Sequence, residues 1–131
     1  MAVSHLDSAV LDQLRENFRG QLVMPGDDAY DSARSVFNGG IDRRPAVIAR
    51  CSGVADVIAA VDFARVNATD VSVRGGGHAV TGSAVVDGGL VIDLAPMNGI
   101  QVDPERRTAR AQAGVTWGEL DRETQAFGLA V

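Results

Sequence analysis

Val71-Ser72-Val73-Arg74-Gly75-Gly76-Gly77-His78-Ala79-Val80-Thr81-Gly82 sets three consecutive glycines and a histidine directly behind a short β-branched run, with no helix-forming segment after them. Glycine has no Cβ, so backbone N–H groups can approach an anion closely here and the chain can turn where other residues resist. His78 then stands at the tip of the loop. Two readings of the glycines are open at this point: a cradle for phosphate, or a tight surface connection.

The flanking sequence places the loop. Ala46 to Arg50 reads as a strand, Val54, Val57, Ile58, Val61 and Ala64 follow helical spacing, and Val71 to Arg74 returns to strand. Strand, helix and strand within this span predict a βαβ unit with parallel strands and a right-handed crossover. The glycine loop therefore leaves the carboxyl end of a strand, the edge at which open α/β sheets bind ligands.

Further on, Leu90 to Leu94 reads as a strand after the turn Asp87-Gly88-Gly89, and Ile100 to Val102 and Thr108 to Ala113 as a hairpin around Asp103-Pro104-Glu105-Arg106-Arg107. Ala109, Ala111 and Ala113 alternate along its second strand and give it a small-residue face. Thr116-Trp117-Gly118-Glu119 is a capping box that starts a helix, with Trp117, Leu120, Thr124 and Phe127 on one face and Gly128 as the stop. Leu129-Ala130-Val131 reads as the start of another strand, so the expectation is a truncated part of a longer protein.

Before Arg44 the pattern is less regular. Leu6, Val10, Leu14 and Phe18 predict an amphipathic helix stopped by Gly20, a peripheral cap. The stretch from Gln21 to Arg44 is mixed, with turn markers at Pro25-Gly26-Asp27 and Asn38-Gly39-Gly40 around a short helix near Tyr30 to Val36, and no function is read there.

At 131 residues, 46% hydrophobic and 22% charged, the chain is one domain of ordinary soluble composition. A net charge of −5 argues against nucleic acid. All 12 basic residues are arginine, which removes both the phosphate-loop lysine and a Schiff-base lysine. The single Cys51, at the end of an apolar run, reads as a small buried hydrophobe rather than a reactive thiol, and no metal site is expected. The apolar stretches are too short to cross a bilayer, and the expectation is a cytoplasmic protein. His5 has no chemical context and is expected in a flexible end.

A dinucleotide fingerprint fails on spacing, because Gly75, Gly77 and Val80 do not supply G-x-G-x-x-G and no helix start follows. Phosphate would then be held by loop amides. Arg74 either adds charge-assisted donors or is an ion-paired surface group.

From about Arg44 to Val131 the chain resembles the amino-terminal half of the flavin domain of the berberine-bridge-enzyme-like FAD oxidoreductases, in the vanillyl-alcohol-oxidase superfamily with its PCMH-type FAD-binding domain. Bacterial members of the 6-hydroxynicotine-oxidase kind look most similar. The resemblance is carried by Arg44-Pro45-Ala46-Val47-Ile48-Ala49-Arg50, by Arg74-Gly75-Gly76-Gly77-His78, by Gly89 to Leu94 with Met97-Asn98, and by Ala113-Gly114-Val115, in that order. The family loop usually reads R-S-G-G-H, so Gly75 stands where serine is common; a hydroxyl is lost and the backbone amides are kept.

The resemblance implies an α+β fold, the first α/β subdomain of such a domain, in which a βαβ unit is followed by a hairpin and a helix. It divides the chain into an amino-terminal helical cap, 1–43, and the amino-terminal half of an FAD-binding domain, 44–131. It implies FAD held by Arg74, Gly75, Gly76, Gly77, His78, Ala79, Val80, Thr81, Gly82, Ser83 and Gly114, with Arg74 to Gly82 around the pyrophosphate and His78 joined covalently to the flavin 8α-methyl carbon. Neutral imidazole is a competent nucleophile toward a carbon made electrophilic by proton loss. The second, cysteine-borne attachment of some members would fall in a later glycine-rich segment, and Cys51 is not at that position. The implied activity is hydride removal from an alcohol, amine or sugar carbon of a small-molecule substrate, with oxygen as electron acceptor and with the substrate-activating base beyond Val131. Without the resemblance, a non-catalytic nucleotide- or phosphate-binding module and a structural α+β domain with turn-making glycines stay open.

Overall fold

Residues 6–131 are described by a computed structural model, and His5 lies outside the described residues. In chain order they form α1 (Ser8–Glu16), β1 (Gln21–Val23), α2 (Tyr30–Arg34), β2 (Val47–Arg50), α3 (Val54–Val66), β3 (Val71–Arg74), β4 (Leu90–Asp93), β5 (Ile100–Asp103), β6 (Thr108–Ala111) and α4 (Trp117–Gln125). The mixed α+β class and the order of βαβ unit, hairpin and helix agree with the sequence reading.

Leu90, Val91 and Ile92 are apolar on both sides of their strand and need cover on both faces and neighbours on both edges. They receive all of it. The four-stranded sheet runs β1-β2-β4-β3, with β4 parallel to β2 and to β3 and β1 antiparallel to β2. The two strands of the βαβ unit are therefore parallel, as read, but β4 lies between them, pairing Val47 and Val71 both with Leu90.

Alternation sorts the side chains into two layers. On one face Val47, Ala49, Leu90 and Ile92 pack against Leu11 and Leu14 of α1 and Ala60, Phe63 and Ala64 of α3. On the other, Ile48 and Val91 meet Val23, Tyr30 and Val85. Each such aliphatic side chain contributes about 1.5–3 kcal/mol by leaving water. The segment 21–23, which has no regular pattern in the sequence, is thus a sheet strand, and the amino-terminal third joins the core through it as well as through α1.

Helical spacing places α3 but does not give its inner face. Val54, Ile58 and Val61 do not face the core; they are exposed, and the buried stripe is Asp56, Ala60, Phe63 and Ala64. A helix that is apolar nearly all round gives periodicity no means of choosing its inner face. A carboxylate chooses it. Asp56 is buried and accepts hydrogen bonds from the Arg19 and Gly20 amides, both at 2.9 Å, and from the Ser52 amide and hydroxyl at 2.8 and 2.6 Å. Gly20 is part of this junction rather than a helix stop: α1 ends at Glu16, and a Cβ at Gly20 would stand 2.0 Å from the Arg50 carbonyl oxygen. Cys51 beside it is wholly buried, and burial, helped by Asp56 and Asp93, pushes its thiol up to about 12, so it packs and does not react.

The hairpin β5–β6 forms a separate two-stranded antiparallel sheet, and the Thr116–Glu119 capping box opens α4 as read. Gly128 ends it with φ +69°, while the Leu129 amide closes onto the Thr124 carbonyl at 3.1 Å. Of the residues that share a face of α4, Thr124 is buried while Trp117 and Phe127 are exposed. One expectation does not hold. Leu129 to Val131 is not a strand; among the described residues each hairpin strand pairs only with the other, and these residues share a cleft with Val102, Thr108 and Ala109.

Asp56→Asn is expected to lower stability by about 2–4 kcal/mol, since donors arranged for a carboxylate would meet an amide. Burial raises the Asp56 pKa, but the Ser52 hydroxyl and the Arg19, Ser52 and Gly20 amides outweigh it and hold the carboxyl below its ordinary value. A depressed folded-state value stabilises the fold above the unfolded pKa of about 3.9 and ceases to as pH falls through the folded one. Urea midpoints of the two proteins should differ by a constant amount from neutral pH down to about 5 and converge below about 4; a gap unchanged in stronger acid would show that the charge is irrelevant.

Candidate functional site

The glycine loop leaves β3 at Arg74 and is held almost entirely through its carbonyl oxygens. Arg74 O accepts from the Leu94 amide at 2.9 Å, Gly77 O from the Phe37 amide at 2.9 Å, and Val80 O from Asn38 Nδ2 at 2.9 Å. The Arg43 guanidinium donates to Gly82 O at 2.7 Å and to Val85 O at 2.9 Å. Among the described residues, the only amide between Gly75 and Gly82 that donates within the protein is that of Gly82, to Ala79 O at 3.1 Å. A backbone N–H without a protein acceptor must be served by water or by a ligand. The scaffold grips the loop by the carbonyls of Arg74, Gly77, Val80 and Gly82 and leaves the amides from Gly75 to Thr81 without a protein acceptor among the described residues.

Conformation and charge agree with this division. Gly77 and Gly82 have φ of +72° and +74°, a region that costs side-chain-bearing residues about 1–2 kcal/mol. The Arg74 guanidinium donates to the Ala33 carbonyl and lies against Gly77, where a Cβ would come 3.3 Å from its Nε. It is half-buried and, among the described residues, has no carboxylate partner. A positive charge is fixed under the loop.

The second predicted segment comes to the same place. A Cβ on Gly75 would stand 3.0 Å from the Ala113 carbonyl oxygen, so the end of the hairpin borders the start of the loop. Gly114 is pressed beneath the turn after β4: its amide donates to Met97 O at 2.9 Å, and a Cβ would lie 2.2 Å from Leu94 O and 2.6 Å from Ala95 O. Arg74 to Ser83 and Gly114 thus form one neighbourhood. Its position at the carboxyl edge of β3 is also fixed by Asp93, in register with Arg50 and Arg74, which is buried, pairs with Arg50 Nε at 3.2 Å and accepts from the Ala95 amide at 3.0 Å.

His78 is exposed at the tip of the loop, with its ring centroid 4.9 Å from that of Phe37 at an interplanar angle of 37°. A side chain at Gly76 would reach within 2.9 Å of His78 Cδ2. The sequence reading saw no function between Gln21 and Arg44, yet Ala33, Phe37, Asn38 and Arg43 all bind the loop, and Ile41 packs under Gly82. Their partners lie about forty residues away in sequence, as with Asn38 and Val80. No local pattern records such pairs. Tyr30 anchors the segment by donating its hydroxyl to Pro45 O at 2.7 Å, and burial raises its pKa.

The chemistry of the donor set suits a pyrophosphate: unpaired amides, left-handed glycines and a held guanidinium. A sequence model of the FAD binding domain family matches residues 45–131. The chain belongs to that family. (R)-6-Hydroxynicotine oxidase of Paenarthrobacter nicotinovorans is 40% identical over 114 residues, 87% of this chain and 25% of the relative. The crystal structure of 6-hydroxy-D-nicotine oxidase from Arthrobacter nicotinovorans superposes with a TM-score of 0.83 at 40% identity, covering 86% of this chain and 25% of that one. That of the berberine-bridge-enzyme-like protein 1 of Physcomitrella patens does so with a TM-score of 0.83 at 26% identity, covering 89% and 26%. The chain spans about a quarter of the length of these relatives. FAD is the cofactor of this domain, and the resemblance read from the sequence is correct as to family and fold.

Glycine substitutions should separate close approach from mere turning. Gly114→Ala, forced against three carbonyl oxygens, is expected to cost about 3 kcal/mol and weaken FAD retention. Gly118→Ala, with nothing within 4 Å, should be neutral or stabilise by up to about 1 kcal/mol. Thermal melts of both variants check the opposite signs.

Proposed function

We propose that this chain supplies the pyrophosphate grip and the covalent anchor of an FAD-dependent oxidase, with Arg74, the loop residues Gly75 to Ser83, and Gly114 around the cofactor and His78 as the point of attachment. The observation that carries the reading is the loop held by its carbonyls with its amides unpaired and an exposed imidazole at its tip. When bound, FAD supplies a hydride acceptor. The residues of this chain bind and orient it: Arg74 offsets the negative charge of the phosphates, and His78 offers a ring nitrogen to the 8α carbon. His78 would hold the cofactor through one bond from a ring nitrogen to the 8α carbon, made in place of an imidazole N–H and an 8α C–H, with dioxygen taking up the two electrons and two protons as hydrogen peroxide.

The substrate is proposed to be a small molecule with an oxidisable alcohol, amine or sugar carbon, and oxygen the final acceptor. The groups that bind and deprotonate it are assigned to polypeptide that the relatives possess and these 131 residues do not span. A non-catalytic phosphate-binding module would use the same amides but has no need of an exposed histidine at the tip.

The test is acid precipitation of the protein produced with whatever sequence continues it naturally. The expected result is a yellow pellet and a flavin mass adduct on the peptide containing His78, with His78→Ala releasing its flavin into the supernatant. Flavin released from the wild type would remove the attachment and keep the binding; an adduct surviving in His78→Ala would place the link elsewhere; a colourless protein would overturn the reading as a whole.

A further inference from the structure

The attachment just proposed requires the His78 imidazole to hold one orientation, and no hydrogen bond within the loop provides it. The residue is exposed, and among the described residues its ring nitrogens have no hydrogen-bond partner. Two features confine the ring. The first is the bare Cα of Gly76, where any Cβ would be 2.9 Å from His78 Cδ2 and 3.6 Å from its Nε2. The second is the Phe37 ring, 4.9 Å away between centroids and tilted by 37°.

Phe37 is itself 76% exposed, so core packing does not explain where its ring lies. Its backbone explains only half of the contact: the Phe37 amide donates to Gly77 O and fixes the Cα beside the loop, a bond that any residue other than proline would make. What phenylalanine adds is the ring on the imidazole.

We propose that Phe37 is a positioning residue for flavin attachment, its ring packing on the His78 imidazole beside Gly76 and narrowing the orientations from which a ring nitrogen meets the 8α carbon. The inference rests on the attachment reading above and adds to it a residue from the amino-terminal third, outside the 45–131 span that matches the family model. Phe37 forms and breaks no bond in the attachment. It narrows the range of orientations of the residue that does, and an entropic restriction of this kind acts on the rate of bond formation rather than on noncovalent retention of FAD.

The variants are Phe37→Leu, which keeps the backbone bond and an apolar side chain, and Phe37→Tyr, which restores the ring. Purified apoprotein with its natural continuation is mixed with FAD and quenched in acid at intervals, and the adduct on the His78 peptide is quantified by mass. Total bound FAD is read before quenching. Phe37→Leu is expected to retain FAD within about twofold and to attach it about three- to tenfold more slowly, in keeping with the strength of an aromatic pair. Phe37→Tyr should return to within about twofold of wild type. In the flavin-free protein the His78 ring protons should resonate upfield through the Phe37 ring current and move downfield in Phe37→Leu.

Attachment by Phe37→Leu at the wild-type rate, or failure of Phe37→Tyr to rescue, would overturn the inference while leaving the attachment intact. A slowed rate without any change in the His78 signals would also overturn it, assigning the loss to the loop and not to the ring. If the wild type forms no adduct, both readings fall together, and the nuclear resonance shift still reports whether Phe37 holds the imidazole.

Discussion

A loop that binds an anion with its backbone must solve two problems with the same peptides: it needs a fixed shape, and it needs free N–H groups. Ordinary secondary structure cannot meet both, because a ladder that fixes the chain consumes the donors along with the acceptors. Here the loop is fixed by its acceptors. The Leu94 and Phe37 amides, the Asn38 amide group and the Arg43 guanidinium are all donors supplied from outside the loop to its carbonyl oxygens. Their asymmetry leaves the N–H side of Gly75 to Thr81 unspent, and everything else in the domain serves to bring those outside donors to the loop.

Three of the four belong to a segment remote from the site along the chain. Phe37 and Asn38 reach the loop because Tyr30 is buried under β2 and β4 and holds α2 through its bond to Pro45, while β1 adds its strand to the edge of the same sheet. Arg43 follows from the same path. The Asp56 junction plays the corresponding part on the opposite face, tying the turn after α1 to the start of α3. Helix, edge strand and loop support are thus consequences of two buried polar anchors, each with its partners satisfied.

That arrangement explains what the sequence made legible. The βαβ unit, the hairpin, the capping box and the glycine loop are written in local runs of β-branched residues, turn residues and cap residues, and all of them form. The strand order was not legible, because nothing near Leu90 says that it inserts between two strands that precede it. Nor was the inner face of α3, where Val54, Ile58 and Val61 compete on equal hydrophobic terms with Ala60, Phe63 and Ala64 until Asp56 decides. Trp117 and Phe127 teach a related lesson: periodicity identifies residues that share a face and does not say that the face is covered. At the site, the motif residues Arg74 to Ser83 were visible as chemistry, but their supports were not, since a carbonyl acceptor carries no residue type for a pattern to detect.

The charge of the chain sharpens the reasoning about the loop. A net charge of −5 with no lysine gives an anionic cofactor no long-range attraction, and at physiological ionic strength charges farther apart than about 8 Å are largely screened in any case. Retention of a pyrophosphate must therefore come from short-range terms. Each hydrogen bond to a charged acceptor contributes about 1.5–3 kcal/mol, so on the proposed reading a few free amides together with Arg74 would suffice without any basic surface. This places a demand on geometry that a lysine-rich site would not face. A flexible cation can follow a displaced phosphate, whereas a backbone amide cannot, and the fixed carbonyl anchors are what keep those amides where the ligand needs them.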